Sequence, residues 1–190
     1  MISQRIPGLL AVVACVTVAL AACTNQVGGQ ANPSSTVGGT DTSGAPAPSS
    51  NPDSPFASMN PCSILDQALT GQGFPPAVPT VADAKETCAA TKPRAGDVNP
   101  VDLALSLQPG RGYKNNVGNP SQASEGSVHG RAAVEEREPQ QSPGQCGIWL
   151  EVKPASRALI LVSSGSDTAN ACKLVERFAE KIEPLLPKNN

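Results

Sequence analysis

Four cysteines, Cys62, Cys88, Cys146 and Cys172, constrain this chain more than any other feature. The first two stand as far apart in sequence as the last two. An even set of cysteines in an exported domain forms disulfides, and four cysteines permit three connectivities. Pairing Cys62 with Cys88 and Cys146 with Cys172 is the expected choice, because it ties the start of a helix to a nearby strand twice over. Each such loop would stabilise the fold by roughly 3–4 kcal/mol on the chain-entropy view. Zinc is a poor alternative: there is no Cys-x-x-Cys pair, and the single histidine, His129, has no partner at ligand spacing. No metal and no cofactor is expected.

Disulfides need an oxidising compartment, and the N-terminus supplies the route. Arg5 precedes an apolar run from Leu9 to Ala22 that only Thr17 interrupts. As a helix this run reaches about 21 Å at roughly 1.5 Å per residue, short of the roughly 30 Å hydrocarbon core. It reads as a signal peptide, residues 1–22. Leu20-Ala21-Ala22-Cys23 resembles the lipobox of bacterial lipoproteins. That resemblance implies cleavage before Cys23 and a diacylglyceryl group on its sulfur. Two acyl chains hold a protein at a membrane stably where one does not. Cys15 leaves with the signal.

Beyond Cys23, residues 23–57 are almost entirely Ser, Pro, Gly, Thr, Ala, Asn and Gln with two aspartates, Asp41 and Asp53, and few large apolar residues. Such a segment cannot bury enough apolar surface to offset its ordering entropy, so it reads as a disordered tether. A flexible chain of that length has a mean reach of about 30–35 Å. A glycosylated stalk would have the same composition. Residues 58–190 are then one extracytoplasmic domain. The net charge is −2 and loss of Arg5 makes the mature form more acidic. Nothing here favours nucleic acid as a partner.

Within the domain, Asn60-Pro61 opens a helix with Ile64, Leu65, Ala68 and Leu69 on its apolar face, stopped at Gly71 or Gly73. Val101, Leu103, Leu105 and Leu107 alternate as a half-buried strand. Residues 147–163 read as a hairpin about Pro154-Ala155-Ser156, with Ile148, Leu150 and Val152 facing Ala158, Ile160 and Val162. Shorter strands are expected near 86–91 and 130–136, and 110–127 is expected as a polar surface loop. A last helix starts near Asp167-Thr168, buries Cys172, Val175, Phe178, Ala179 and Ile182, and ends at Glu183-Pro184. The expected fold is α+β: an antiparallel sheet of four or five strands packed by an N-terminal and a C-terminal helix, with two disulfides.

The order of lipobox, tether, Asn-Pro-Cys-Ser-Ile-Leu at 60–65, a second cysteine in a strand, a third before a hairpin, and Ala-Cys-Lys-Leu-Val-Glu-Arg-Phe-Ala-Glu at 171–180 before Leu185-Leu186-Pro187 resembles a known family. It is the actinobacterial cell-envelope lipoprotein family catalogued as a domain of unknown function. The resemblance implies localisation and disulfide content, and carries no activity. This chain has Cys88-Ala89-Ala90 where a tryptophan often follows the second cysteine in such proteins.

Catalytic templates fit badly. His129-Gly130 followed by Cys146 resembles the L,D-transpeptidases, which use a cysteine nucleophile. The second histidine and the arginine that should flank the nucleophile are absent, and a disulfide would consume the thiol. There is no Gly-x-Ser-x-Gly elbow and no Ser-x-x-Lys. Glu135-Glu136-Arg137-Glu138 could be taken for paired glycosidase carboxylates, but a charge run of this kind reads as a solvated edge. No catalytic residue is expected. Carbohydrate platforms need stacked aromatics, and those at or near the domain are Phe56, Phe74, Tyr113, Trp149 and Phe178. Trp149 runs out of phase with Ile148 and Leu150, which places it away from the helices. It is either a half-buried sheet residue or, if exposed, a partner contact. The expectation is a membrane-anchored, non-enzymatic binding module for a protein, cell-wall or small-molecule partner. The alternative is a carrier of a lipid or other hydrophobic ligand, which an apolar pocket between sheet and helices would favour.

Overall fold

The computed structural model describes residues 53–96 and 98–188. The expected signal peptide, Cys23 and the expected tether as far as residue 52 lie outside the described residues. Packing reaches upstream of residue 58: Ser54 and Phe56 are buried, and Phe56 belongs to the main core.

Helix α1, Pro61–Leu69, forms as its sequence demands. The Asn60 side chain accepts from the backbone N–H of Cys62 and of Ser63, satisfying donors that the first turn leaves orphaned. Gly71 beyond its end takes a positive φ of 73°. The strands are β1 (Val78–Pro79), β2 (Thr87–Lys92), β3 (Val101–Pro109), β4 (Ala123–Val128), β5 (Arg131–Arg137), β6 (Gln145–Lys153) and β7 (Ser156–Ser163). Helix α2, Thr168–Ile182, is capped by Asp167, which accepts from the backbone N–H of Asn170. The β6–β7 hairpin turns on Pro154 and Ala155 alone, because Ser156 already pairs with Lys153. No helix among the described residues is long and apolar enough to cross a membrane.

The fold is thus mixed helix and antiparallel sheet, with seven strands among the described residues rather than the four or five expected. The two extra strands are β1 and β4. Two residues in β1 are too few for a pattern, and β4 is an edge strand of Ala-Ser-Glu-Gly-Ser-Val, exposed or half-exposed throughout. Alternation signals a strand only where one face is buried. For the same reason the expected polar loop over 110–127 is corrected: its last residues pair with β5 as β4.

Strand order is β1-β2-β3-β7-β6-β5-β4, antiparallel throughout. Both helices lie on one face, α1 against β2 and β3, α2 against β6 and β7. Between helices and sheet sits the core, including Leu65, Leu103, Leu105, Leu150, Ile160 and Ile182, each shut off from solvent. The structure bonds Cys62 of α1 to Cys88 of β2, and Cys172 of α2 to Cys146 of β6, with Cα atoms 5.0 Å apart in both.

Candidate functional site

Topology decides what happens on the second face of the sheet. β3 pairs with β7, but the next strand, β4, lies at the far edge beyond β5. The segment 110–122 must therefore cross the sheet, and the helices already occupy one side. It is tied down on the other. The Arg157 guanidinium donates to the Gly112 and Asn115 carbonyls and to Gln108 Oε1, and the Asn119 backbone N–H donates to Glu136 Oε1.

Trp149 sits between these two anchors. Its strand places Gly147, opposite Glu136, on one side and Glu151, opposite Arg157, on the other. Trp149 is 4 % exposed, opposite Val134 and Leu159, with its ring end against Gly147. The phase argument put it on the right face. The suggestion of an exposed partner contact is corrected, because the crossing segment shields that face. Among the described residues its Nε1 and Glu136 Oε2 have no hydrogen-bond partner, and both are buried. The expectation of a solvated charge run over 135–138 fails with it: Glu136 is wholly buried and Glu135 half-buried. Burial holds the Arg157 guanidinium below its ordinary pKa, nearby Arg111 pushes the same way, and Glu136 opposes them.

The cysteine–histidine pair is taken apart by the register. His129 and Gly130 form the two-residue turn between β4 and β5, both at positive φ as such a turn requires. Cys146 pairs with Arg137 at the other end of β5. At about 3.3 Å per residue the two side chains stand roughly 20 Å apart. His129 Nδ1 instead approaches Glu183 Oε2 at 3.3 Å, and Glu183 also receives the Arg131 Nε–H at 2.8 Å. Arg131, itself buried, fixes the C-terminal turn further by donating to the Glu151 and Pro187 carbonyls.

Two clefts flank α2. On one side, Glu135, Glu176, Glu180 and His129 line an acidic cleft of about 320 Å³ under β4 and β5. Burial raises the Glu135 carboxyl pKa, and the charge of Glu176 with a hydrogen bond to it raises it further; Arg137 pulls the other way. Glu135 Oε1 lies 3.7 Å from Cys146 Sγ. Glu135, Cys146 and Cys172 gather closely enough to suggest a metal site, but both sulfurs are bonded to each other and offer no thiolate. On the other side, Phe74, Val98, Leu174 and Phe178 line a more apolar cleft of about 340 Å³. Sequence reasoning missed both clefts, since their walls come from segments far apart in the chain.

Comparison with known proteins places residues 18–185 in one family, described as a protein of unknown function (DUF3558). No curated protein and no solved structure matches the chain.

Proposed function

The chain belongs to the DUF3558 family, and from that premise we propose that it is a lipid-anchored lipoprotein of the actinobacterial cell envelope. Its signal peptide is removed, Cys23 carries the lipid, and the folded domain stands on the outer face of the cell membrane as a non-enzymatic binding module. The observation that carries this reading is the oxidation state of the domain. All four of its cysteines are consumed in two disulfides, each pinning a helix to the sheet. Such a scaffold suits an exported protein and not a reducing cytosol. Leu20-Ala21-Ala22-Cys23 accounts for both the export and the anchor. The non-enzymatic part is supported by Cys146, held in a disulfide, and by His129, which faces Glu183 at the far end of β5. A protein, cell-wall component or small molecule is the partner class, with no role for nucleic acid.

The test of the anchor is fractionation of a Cys23→Ala variant. The variant is expected to leave the membrane fraction, while mass spectrometry of the parent shows a diacylated mature terminus. A variant that still sediments with membrane sinks the reading. The carrier alternative has one observation in its favour, the apolar cleft beside Phe178. Against a carrier that engulfs a two-chain lipid, the space between sheet and helices is filled by the core side chains.

A further inference from the structure

The apolar cleft is built by three segments. Residues 72–74, after α1, form one wall, and α2 presents Leu174, Arg177 and Phe178 as another. The β2–β3 connection closes the third side, narrowed by the Ala95–Val98 bridge, in which the Val98 N–H donates to the Ala95 carbonyl. The floor is aromatic: the Phe74 and Phe178 rings meet edge to face with centroids 5.8 Å apart. Val98 stands at the rim, 66 % exposed.

Two cations border this apolar surface. Lys92 Nζ donates to the Gln72 carbonyl at 2.8 Å and lies 5.8 Å from the centre of the Phe74 ring. Arg177 projects from α2 into the lining, exposed. Among the described residues no lining side chain is acidic, and neither cation is ion-paired with a carboxylate. The acidic residues of α2, Glu176 and Glu180, are turned into the opposite cleft. The helix thus turns Glu176 and Glu180 to one cleft and Arg177 to the other.

An apolar floor edged by cations that pair with no carboxylate among the described residues is complementary to a ligand with one apolar body and one anionic head. We propose that this cleft binds a single-chain carboxylate. Its hydrocarbon would rest on Phe74, Phe178 and Leu174, and its carboxylate would lie between Lys92 and Arg177. The volume, about 340 Å³, is near the lower end of the roughly 300–1,000 Å³ typical of small-molecule sites, too small for a two-chain lipid. The assignment rests on the binding-module reading and names its ligand class.

The test uses the full-length protein titrated with sodium decanoate below its micellar concentration, followed by calorimetry and by NMR shifts of the Val98 and Leu174 methyls. Saturable one-to-one binding is expected. Decanol, equal in chain length but uncharged, should bind roughly tenfold more weakly, the loss of a charge-assisted pair, and decylammonium should not compete. Arg177→Glu should weaken decanoate binding at least tenfold with the thermal midpoint unchanged, Arg177 being exposed. Lys92→Gln should weaken it in the same direction. Absence of saturable binding, equal affinity for decanol, or a wild-type affinity in Arg177→Glu overturns the proposal. The anchor is read separately by where Cys23→Ala fractionates. A protein that captures a cross-linked neighbour while ignoring decanoate loses the ligand class and keeps the binding module.

Discussion

Glu135 sits in an environment that its neighbours in sequence do not suggest. Within a run of charges it reads as solvated, yet it faces Glu176 across the acidic cleft beside the Cys146–Cys172 bond. Its pKa is raised from the ordinary 4.5 by burial first and by Glu176 second. A carboxyl raised in the folded state takes up its proton more readily there than in the unfolded chain. The stability it contributes is fully present below the unfolded value and is lost as pH rises through the folded one. Glu86, raised by burial and by Asp83, acts in the same direction. Glu135→Gln is therefore expected to raise the thermal midpoint near neutral pH, with the gap closing as pH falls toward about 4. Thermal unfolding of parent and variant at both pH values checks this; a variant less stable at neutral pH contradicts it. Trp149 shows what sequence can carry at this scale. Its phase against Ile148 and Leu150 placed it on the correct face, but its burial depends on a segment some thirty residues away crossing above it. No local pattern encodes that.

The long elements were legible because each buries one face. α1, β3, the β6–β7 hairpin and α2 appear where periodicity put them, and the Asn60 and Asp167 caps mark the helix starts. The edge strands were not legible, since a strand exposed on both faces leaves no alternation to read. Junctions between elements were also hidden. Gly144, at the entrance to β6, has φ +79°, donates its N–H to Thr168 Oγ1 and accepts from the Ser164 N–H. A Cβ there would stand about 1.9 Å from the Gly165 carbonyl oxygen, a backbone atom that cannot swing aside. Gly144→Ala combines that collision with a left-handed backbone, so a loss of about 3 kcal/mol is expected. Denaturant unfolding measures it; a loss under about 1 kcal/mol would mean the β6–α2 junction yields more easily than its hydrogen bonds imply.

At the scale of the whole molecule, the two disulfides repeat one device: a helix start joined to the strand beneath it. A domain of this size has a modest core, and covalent closure of a loop of 26 residues removes conformations mainly from the unfolded chain. Cys62→Ser with Cys88→Ser is expected to lower stability by about 3 kcal/mol while leaving the sheet intact. Chemical denaturation with far-ultraviolet circular dichroism of the native baseline tests both halves of that statement. Beyond the β6–β7 hairpin, the sheet order was not legible. Strands that alternate alike cannot announce which neighbour each will choose, and the crossing of 110–122 follows only from the choice actually made.

The first cross-link also determines how the domain bears a load. Any pull arriving along the chain ahead of residue 53 meets the buried ring of Phe56 and then the sulfur bridge at Cys62. The strain passes at once into β2 and from there across its backbone ladder to β3. Helix α1 is thereby spared from being peeled away by tugging at its own end.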